Sequence, residues 1–393
     1  MNRRHDIDAL RVLAFGLLIL FHVGMLYVAG WEFHLKSEHA ASWLQYPMLF
    51  LNRWRMELLF LVSGLAVTFM RRRDGLLALA WKRSVRLLVP LAFGMAVVIP
   101  IEPYVEGLSR RLVEPGFGRF LWHYWTLRPW PEGAFTGSRY GVTWNHLWYL
   151  PYLWLFTLLL VALLPVLESR LGRCLRDRCR RLRGASLLMY PIVPLFACGA
   201  LLSWRYPETH ALLGDWYALA LYGTMFLYGW MLGSDAGLWA ELTRLRRRTL
   251  WLALVLFAGY LLVPGAGSRP GVHLARVLLR DAYLWIAVCA VLGWSHACLD
   301  RPFRWLAYAR EAVYPWYVLH QSVLLVVAWR VLPLGLGPVA EPTVILAGTI
   351  GGCAFLHECL IRRVRWLRPL FGLHATRAPP VRDRLATASI RPG

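Results

Sequence analysis

The chain has 393 residues, 58% of them hydrophobic and 17% charged, with positive mean hydropathy and a formal net charge of +22. A soluble globular protein of this length would carry amphipathic periodicity in place of repeated long charge-poor runs, so the composition points to a multispanning membrane protein. It also argues against nucleic acid as the partner of the positive charge, because the arginines cluster in short segments between apolar runs, as cytoplasmic loops do.

Of the 44 basic residues only Lys36 and Lys82 are lysine. That bias is too general to come from one binding site. The seven cysteines (Cys174, Cys179, Cys198, Cys289, Cys298, Cys353, Cys359) are scattered, with no zinc spacing and no paired framework, so they read as core residues or free cytosolic thiols and no metal site is expected. The N-terminus is basic and then apolar, like a signal peptide. However, Asp8, Arg11 and His22 interrupt the apolar stretch and Val28-Ala29-Gly30 is a poor cleavage site, which favours a permanent first helix.

Ten spans are predicted, at 8–28, 46–70, 86–101, 146–167, 186–204, 215–233, 249–264, 275–295, 312–331 and 342–361. The third and seventh are short for a hydrocarbon core of about 30 Å. With the N-terminus inside, the inner side receives Arg3 and Arg4, the segment from Arg71-Arg72-Arg73 to Arg86, the 168–184 loop, Arg244 to Arg248, Arg301 to Arg310, and the tail from Arg362. These hold 30 of the Lys and Arg residues against 11 outside, leaving aside Arg11, Arg53 and Arg55 within spans. The asymmetry alternates at every crossing, which a wrong count would scramble. The expectation is an all-α polytopic membrane protein, a bundle of about ten transmembrane helices with both termini cytoplasmic. One membrane domain is expected over 1–373 and a disordered cytoplasmic tail over 374–393.

In the first span Arg11 and His22 are eleven residues apart, about 16 Å of rise and almost a whole number of turns, so they share one face. Ionisable groups inside a spanning helix usually face a cavity or a partner. In the second span Glu57 lies about 21 Å and Ser63 about 12 Å above Arg71, bracketing the height of His22. Arg53, Arg55 and Glu57 read either as site residues or as charges marking the outer interface, and Ser63-Gly64 offers a hydroxyl and a place for close helix approach. If the stretch before the third span is helical, Lys82, Arg83 and Arg86 form a basic fork suited to phosphates, although a topogenic flank looks the same. The outer connection from about Glu102 to Asn145 is rich in Trp, Tyr, Pro and Gly, as an interfacial aromatic belt or a lid with a sugar-stacking face would be. His146 opens the fourth span near the outer face, where an interfacial histidine is common. In the ninth span His320 lies about 13 Å above Glu311, at a depth similar to His22. Two such histidines could bind haem or metal, share a proton, or satisfy each other across two packed helices.

Together these segments resemble the membrane-bound acyltransferase family called acyltransferase 3. The similar pieces are Arg11 with His22 at R-x10-H spacing, Leu59-Phe60-Leu61-Val62-Ser63-Gly64 like FF-x-x-SG, and Lys82-Arg83-x-x-Arg86 like RRxxR. His146-Leu147-Trp148-Tyr149-Leu150 and Tyr317-x-x-His320 are similar as well. Arg55-Met56 and the ending Arg368-Pro369-Leu370-Phe371-Gly372-Leu373 look most like the branch that succinylates periplasmic glucans, from which the chain departs at Glu57, where Pro is expected, and at Lys82, where Arg is.

The resemblance implies an O-acyltransferase of the bacterial inner membrane with no tightly bound cofactor. Acyl-CoA would dock from the cytoplasm with its phosphates near Arg83 and Arg86, with Lys82 and Arg11 as further candidates. Its thioester would sit near mid-membrane, where His22 would act as general base on a hydroxyl of an extracytoplasmic carbohydrate or glucan. The acyl group would be acetyl or succinyl. Glu57 would orient His22 or contact the acceptor, and Arg55, Ser63, His146 and His320 are substrate-contacting or structural candidates. The competing reading is a transporter or flippase using His22, Glu57 and His320 as a proton path, though no inverted repeat is evident. A haem or quinone protein is a third, weakly supported by two histidines.

Overall fold

The computed structural model describes residues 4–71, 73–233, 235–265 and 269–375. Arg3, Arg72 and nearly all of the segment expected to be a disordered tail lie outside the described residues. The described chain is helical: α1 His5–Met25, α2 Gln45–Arg71, α3 Leu76–Phe93, α4 Ile101–Ser109, α5 Phe117–Trp125, α6 Tyr149–Leu167, α7 Arg170–Arg180 and α8 Gly184–Met189. There follow α9 Ile192–Leu202, α10 Trp216–Leu232, α11 Ala236–Leu262, α12 Pro270–Leu299, α13 Leu306–Val331, α14 Ala340–Phe355 and α15 Leu367–Leu370. No strand is present among the described residues beyond an isolated bridge of Val28 to Ala41.

Every one of the ten predicted spans holds a helix. Seven helical stretches are long and apolar enough to cross a membrane, which makes this an all-α polytopic membrane protein. The other three are α2, which carries Arg53, Arg55 and Glu57, α11, whose apolar part follows Arg244 to Arg248, and α10, whose 17 residues rise about 25 Å. The two spans predicted short are longer than the hydropathy suggested. α11 starts at Ala236, and α3 runs on through a wide turn at Gly94–Val98 into α4, where Pro100 precedes the first helical residue. A wide turn adds a residue without breaking the rod, so the helix continues past the point where the apolar run ends.

Packing against α10 sets the position of α2. A Cβ on Gly64 would lie 1.9 Å from the Phe226 carbonyl oxygen, and one on Gly229 1.8 Å from the Leu61 carbonyl oxygen. The two backbones therefore touch at reciprocal glycines, as small-residue interfaces in bilayers allow. α1 lies against α13, α12 and α2, which places its Arg11–His22 face toward the bundle.

The connection from about Glu102 to Asn145, expected as an interfacial aromatic belt or a sugar-stacking lid, is folded on itself. Phe120, Tyr124, Phe135 and Val113 make a small core of their own, with Trp130 stacked 4.7 Å from Phe120, while Trp122, Trp125 and Tyr140 stay exposed. The 26–44 loop folds back over the C-terminal end of α1, and this cap meets that loop where His34 bonds Glu106. Lys36 donates to the carbonyls of Met25 and Val28, satisfying the end of that helix.

Candidate active site

At the arginine-rich end of the bundle, α3 is helical through Lys82, Arg83 and Arg86, but the three do not act as one fork. Arg83 and Arg86, three apart, turn toward Arg11, Tyr149 and Tyr314, all within electrostatic reach. Lys82 is rotated about 100° from Arg83, is more than half exposed, and pairs with Asp74. Arg83 is only 8% exposed, and its Nε and Nη2 have no partner among the described residues. No carboxylate pairs with Arg11, Arg83 or Arg86 among the described residues. Three cations brought together without an acid favour an anionic ligand, phosphate above all.

Tyrosines lead from this cluster into the bundle. The Tyr314 hydroxyl donates to the Arg86 carbonyl at 3.2 Å, and its ring lies 6.3 Å from that of Tyr317. Tyr149, whose ring is 6.2 Å from Tyr317, gives its proton to the Leu59 carbonyl, so Ser63 donates to the Tyr149 oxygen at 2.6 Å. The Tyr317 ring meets Phe15, which sits on α1 one turn beyond Arg11.

Two turns beyond Phe15, His22 Nδ1 is 2.8 Å from His320 Nε2, and the rings stack 5.0 Å apart. The hydrogen-bond pattern assigns the tautomers of the neutral pair. His320 Nδ1 is 2.7 Å from the Tyr317 carbonyl, which only accepts, so that nitrogen carries the proton. His320 Nε2 is then an acceptor, His22 Nδ1–H donates to it, and His22 Nε2 is left with a free lone pair. His22 keeps part of its surface accessible, whereas His320 is fully buried.

Behind His320 lies a carboxylate that the sequence reading missed. Glu102, fully buried at the start of α4, accepts from Ser322 Oγ at 2.6 Å, Asn145 Nδ2 at 2.8 Å and Gln321 Nε2 at 3.1 Å. Its Oε1 also faces His146 Nδ1 at 3.1 Å. His146 is therefore a buried group beneath the cap and not an interfacial one. Its Nε2–H points between the Tyr317 and Val318 carbonyls, so His146 and His320 share one acceptor. The chain continues toward the cap: Gln321 donates to His34 Nε2 at 2.9 Å, and His34 Nδ1–H to Glu106 at 2.5 Å. Gln321, adjacent to His320, was the one local signal for this network.

Arg55 and Glu57 are both more than nine-tenths buried, which removes the reading of charges snorkelling at the interface. They do not share a role. The Arg55 guanidinium lies 3.8 Å over the Phe21 ring, within electrostatic reach of His22. Glu57 lies two residues and about 200° away on α2, facing Tyr217 and Tyr222 of α10 and Glu208. The structure does not bring Glu57 to His22, whose hydrogen-bonded partner is His320.

Residues 4–358 match the acyltransferase 3 model, described as an acyltransferase domain. The chain belongs to that family. It is a membrane acyltransferase whose family domain covers every residue placed in the site above. No curated protein and no solved structure matches.

Proposed function

We propose that this acyltransferase moves an acyl group from cytoplasmic acyl-CoA to a hydroxyl of an extracytoplasmic carbohydrate or glucan, with His22 as the general base. The observation that carries the reading is the His22–His320 pair, which leaves His22 Nε2 basic on the same helical face as Arg11 and the acid-free arginine cluster. Phosphates of the donor bind at Arg11, Arg83 and Arg86, and the pantetheine arm follows Tyr314, Tyr149 and Tyr317 toward His22. The acceptor hydroxyl gives its proton to His22 Nε2 as its oxygen bonds to the thioester carbon. The carbon–sulfur bond then breaks and the imidazolium returns the proton to the departing thiolate, so no net charge accumulates. His320 positions His22, and His146 with Glu102 positions His320 through the shared Tyr317 carbonyl. Ten crossings with both termini in the cytoplasm, in a bacterial inner membrane, put the arginines on the donor side.

The test is thiol release from acetyl-CoA and succinyl-CoA by purified protein, with and without an added glucan. His22→Ala lowers turnover about 10²- to 10⁴-fold while the protein remains folded. Unchanged turnover rejects the role of His22. A competing reading takes the same titratable chain, His22, His320, His146, Glu102 and His34, as a proton path of a transporter or flippase. Solute uptake by vesicles lacking any acyl donor would favour it.

A further inference from the structure

A second basic pocket lies at the arginine-rich end, away from Arg83 and Arg86. Thr68 and Arg71 of α2, Glu168 beyond α6, Arg176 and Arg180 of α7 and Trp230 of α10 enclose about 230 Å³. Three arginines face one glutamate there. Arg71 Nη2 reaches Glu168 at 3.2 Å, and Arg180 is 4.0 Å from Asp235, which leaves Arg176 with no ion pair among the described residues. The Nε atoms of Arg71 and Arg176 are buried and without a hydrogen-bond partner among the described residues. Buried guanidinium N–H groups of this kind lose their hydration and call for an acceptor.

The helix that supplies two of these arginines is amphipathic in a particular sense. On α7, Leu171 and Leu175 are one turn apart and exposed, while Arg176 and Arg180, also one turn apart, lie on the other side and face the pocket. A short helix with Leu171 and Leu175 exposed among outward arginines, and Arg176 and Arg180 turned inward, joined by two residues to the end of the spanning helix α6, suits the headgroup layer. Trp230 forms the inner wall, with the Arg176 guanidinium 5.4 Å from its ring.

We propose that this pocket binds the phosphodiester headgroup of an anionic phospholipid, with the acyl chains beside Leu171 and Leu175. Phosphate is the ligand chemistry, since planar arginine forks match it and a single glutamate leaves the pocket cationic. The exposed Leu171 and Leu175 favour a lipid over a soluble phosphate.

Native mass spectrometry of the detergent-purified full chain, titrated with phosphatidylglycerol or phosphatidylcholine, tests this. Wild type retains phosphatidylglycerol selectively. Arg176→Gln with Arg180→Gln loses about tenfold or more of that apparent affinity. Arg247→Gln with Arg248→Gln, which removes two exposed charges outside the pocket, keeps it. Equal losses in both double variants, or no loss in either, overturn the proposal. So does displacement of the bound lipid by coenzyme A, which would make the pocket part of a donor site. Should the first pair fail to fold, Thr68→Leu, which fills the pocket without altering its charge, must give the same selective loss.

Discussion

The basicity of His22 depends on which nitrogen of a neighbour carries a proton. The Tyr317 carbonyl makes that choice for His320, and His320 makes it for His22. Replacing Glu102 by Leu removes the acceptor shared by Ser322, Asn145 and Gln321, so three donors lose their partner at once. The expected result is a turnover lowered tenfold or more with an unchanged donor KM, read by steady-state thiol release. Arg83→Ala with Arg86→Ala should do the reverse, raising donor KM about tenfold or more because charge-assisted bonds to phosphate are lost. A normal KM there rejects the donor assignment. The Arg11–His22 relation was legible from spacing alone. Glu102 was not, because its partners Gln321 and Ser322 are more than two hundred residues distant and nothing near Glu102 itself marks it.

Among the elements, α2 carries the tightest constraint. Its backbone meets that of α10 at Gly64 and Gly229, so an added methyl in either place meets a carbonyl oxygen and not a side chain that can turn away. Gly64→Ala or Gly229→Ala should destabilise beyond the usual overpacking range of about 1–3 kcal/mol, because relief requires a helix to shift. Thermal unfolding in detergent measures it, and a variant as stable as wild type would contradict the close contact. Each of the ten predicted spans holds a helix, but hydropathy set the start of α3 about ten residues late, since it stops where the arginines begin while the backbone hydrogen bonds continue. That extension holds Arg83 and Arg86 on one face and sends Lys82 to Asp74. The cap over 101–145 looked like interfacial aromatics because composition cannot distinguish rings facing a headgroup from rings such as Phe120 and Trp130 stacked on each other.

At the scale of the whole molecule, the site joins the two ends of a bundle. One end holds Arg11, Arg83 and Arg86 with no carboxylate paired to them among the described residues, the other closes over Glu102 and His34, and α1 runs between them with Arg11 toward the first and His22 toward the second. Burying Arg55, Glu57 and Glu102 in such a bundle is costly, and a protein kept only for its fold would not need them. The central claim is that the thioester of a donor anchored at the arginines reaches His22. A density map of the protein with a non-hydrolysable acyl-CoA analogue tests it most directly. The account predicts the donor phosphates among Arg11, Arg83 and Arg86 and the acyl carbon in the interior, within about 6–7 Å of His22 Nε2, close enough for an acceptor oxygen to lie between them. A donor bound wholly at the surface, or one whose acyl carbon is separated from His22 by packed side chains, would contradict it.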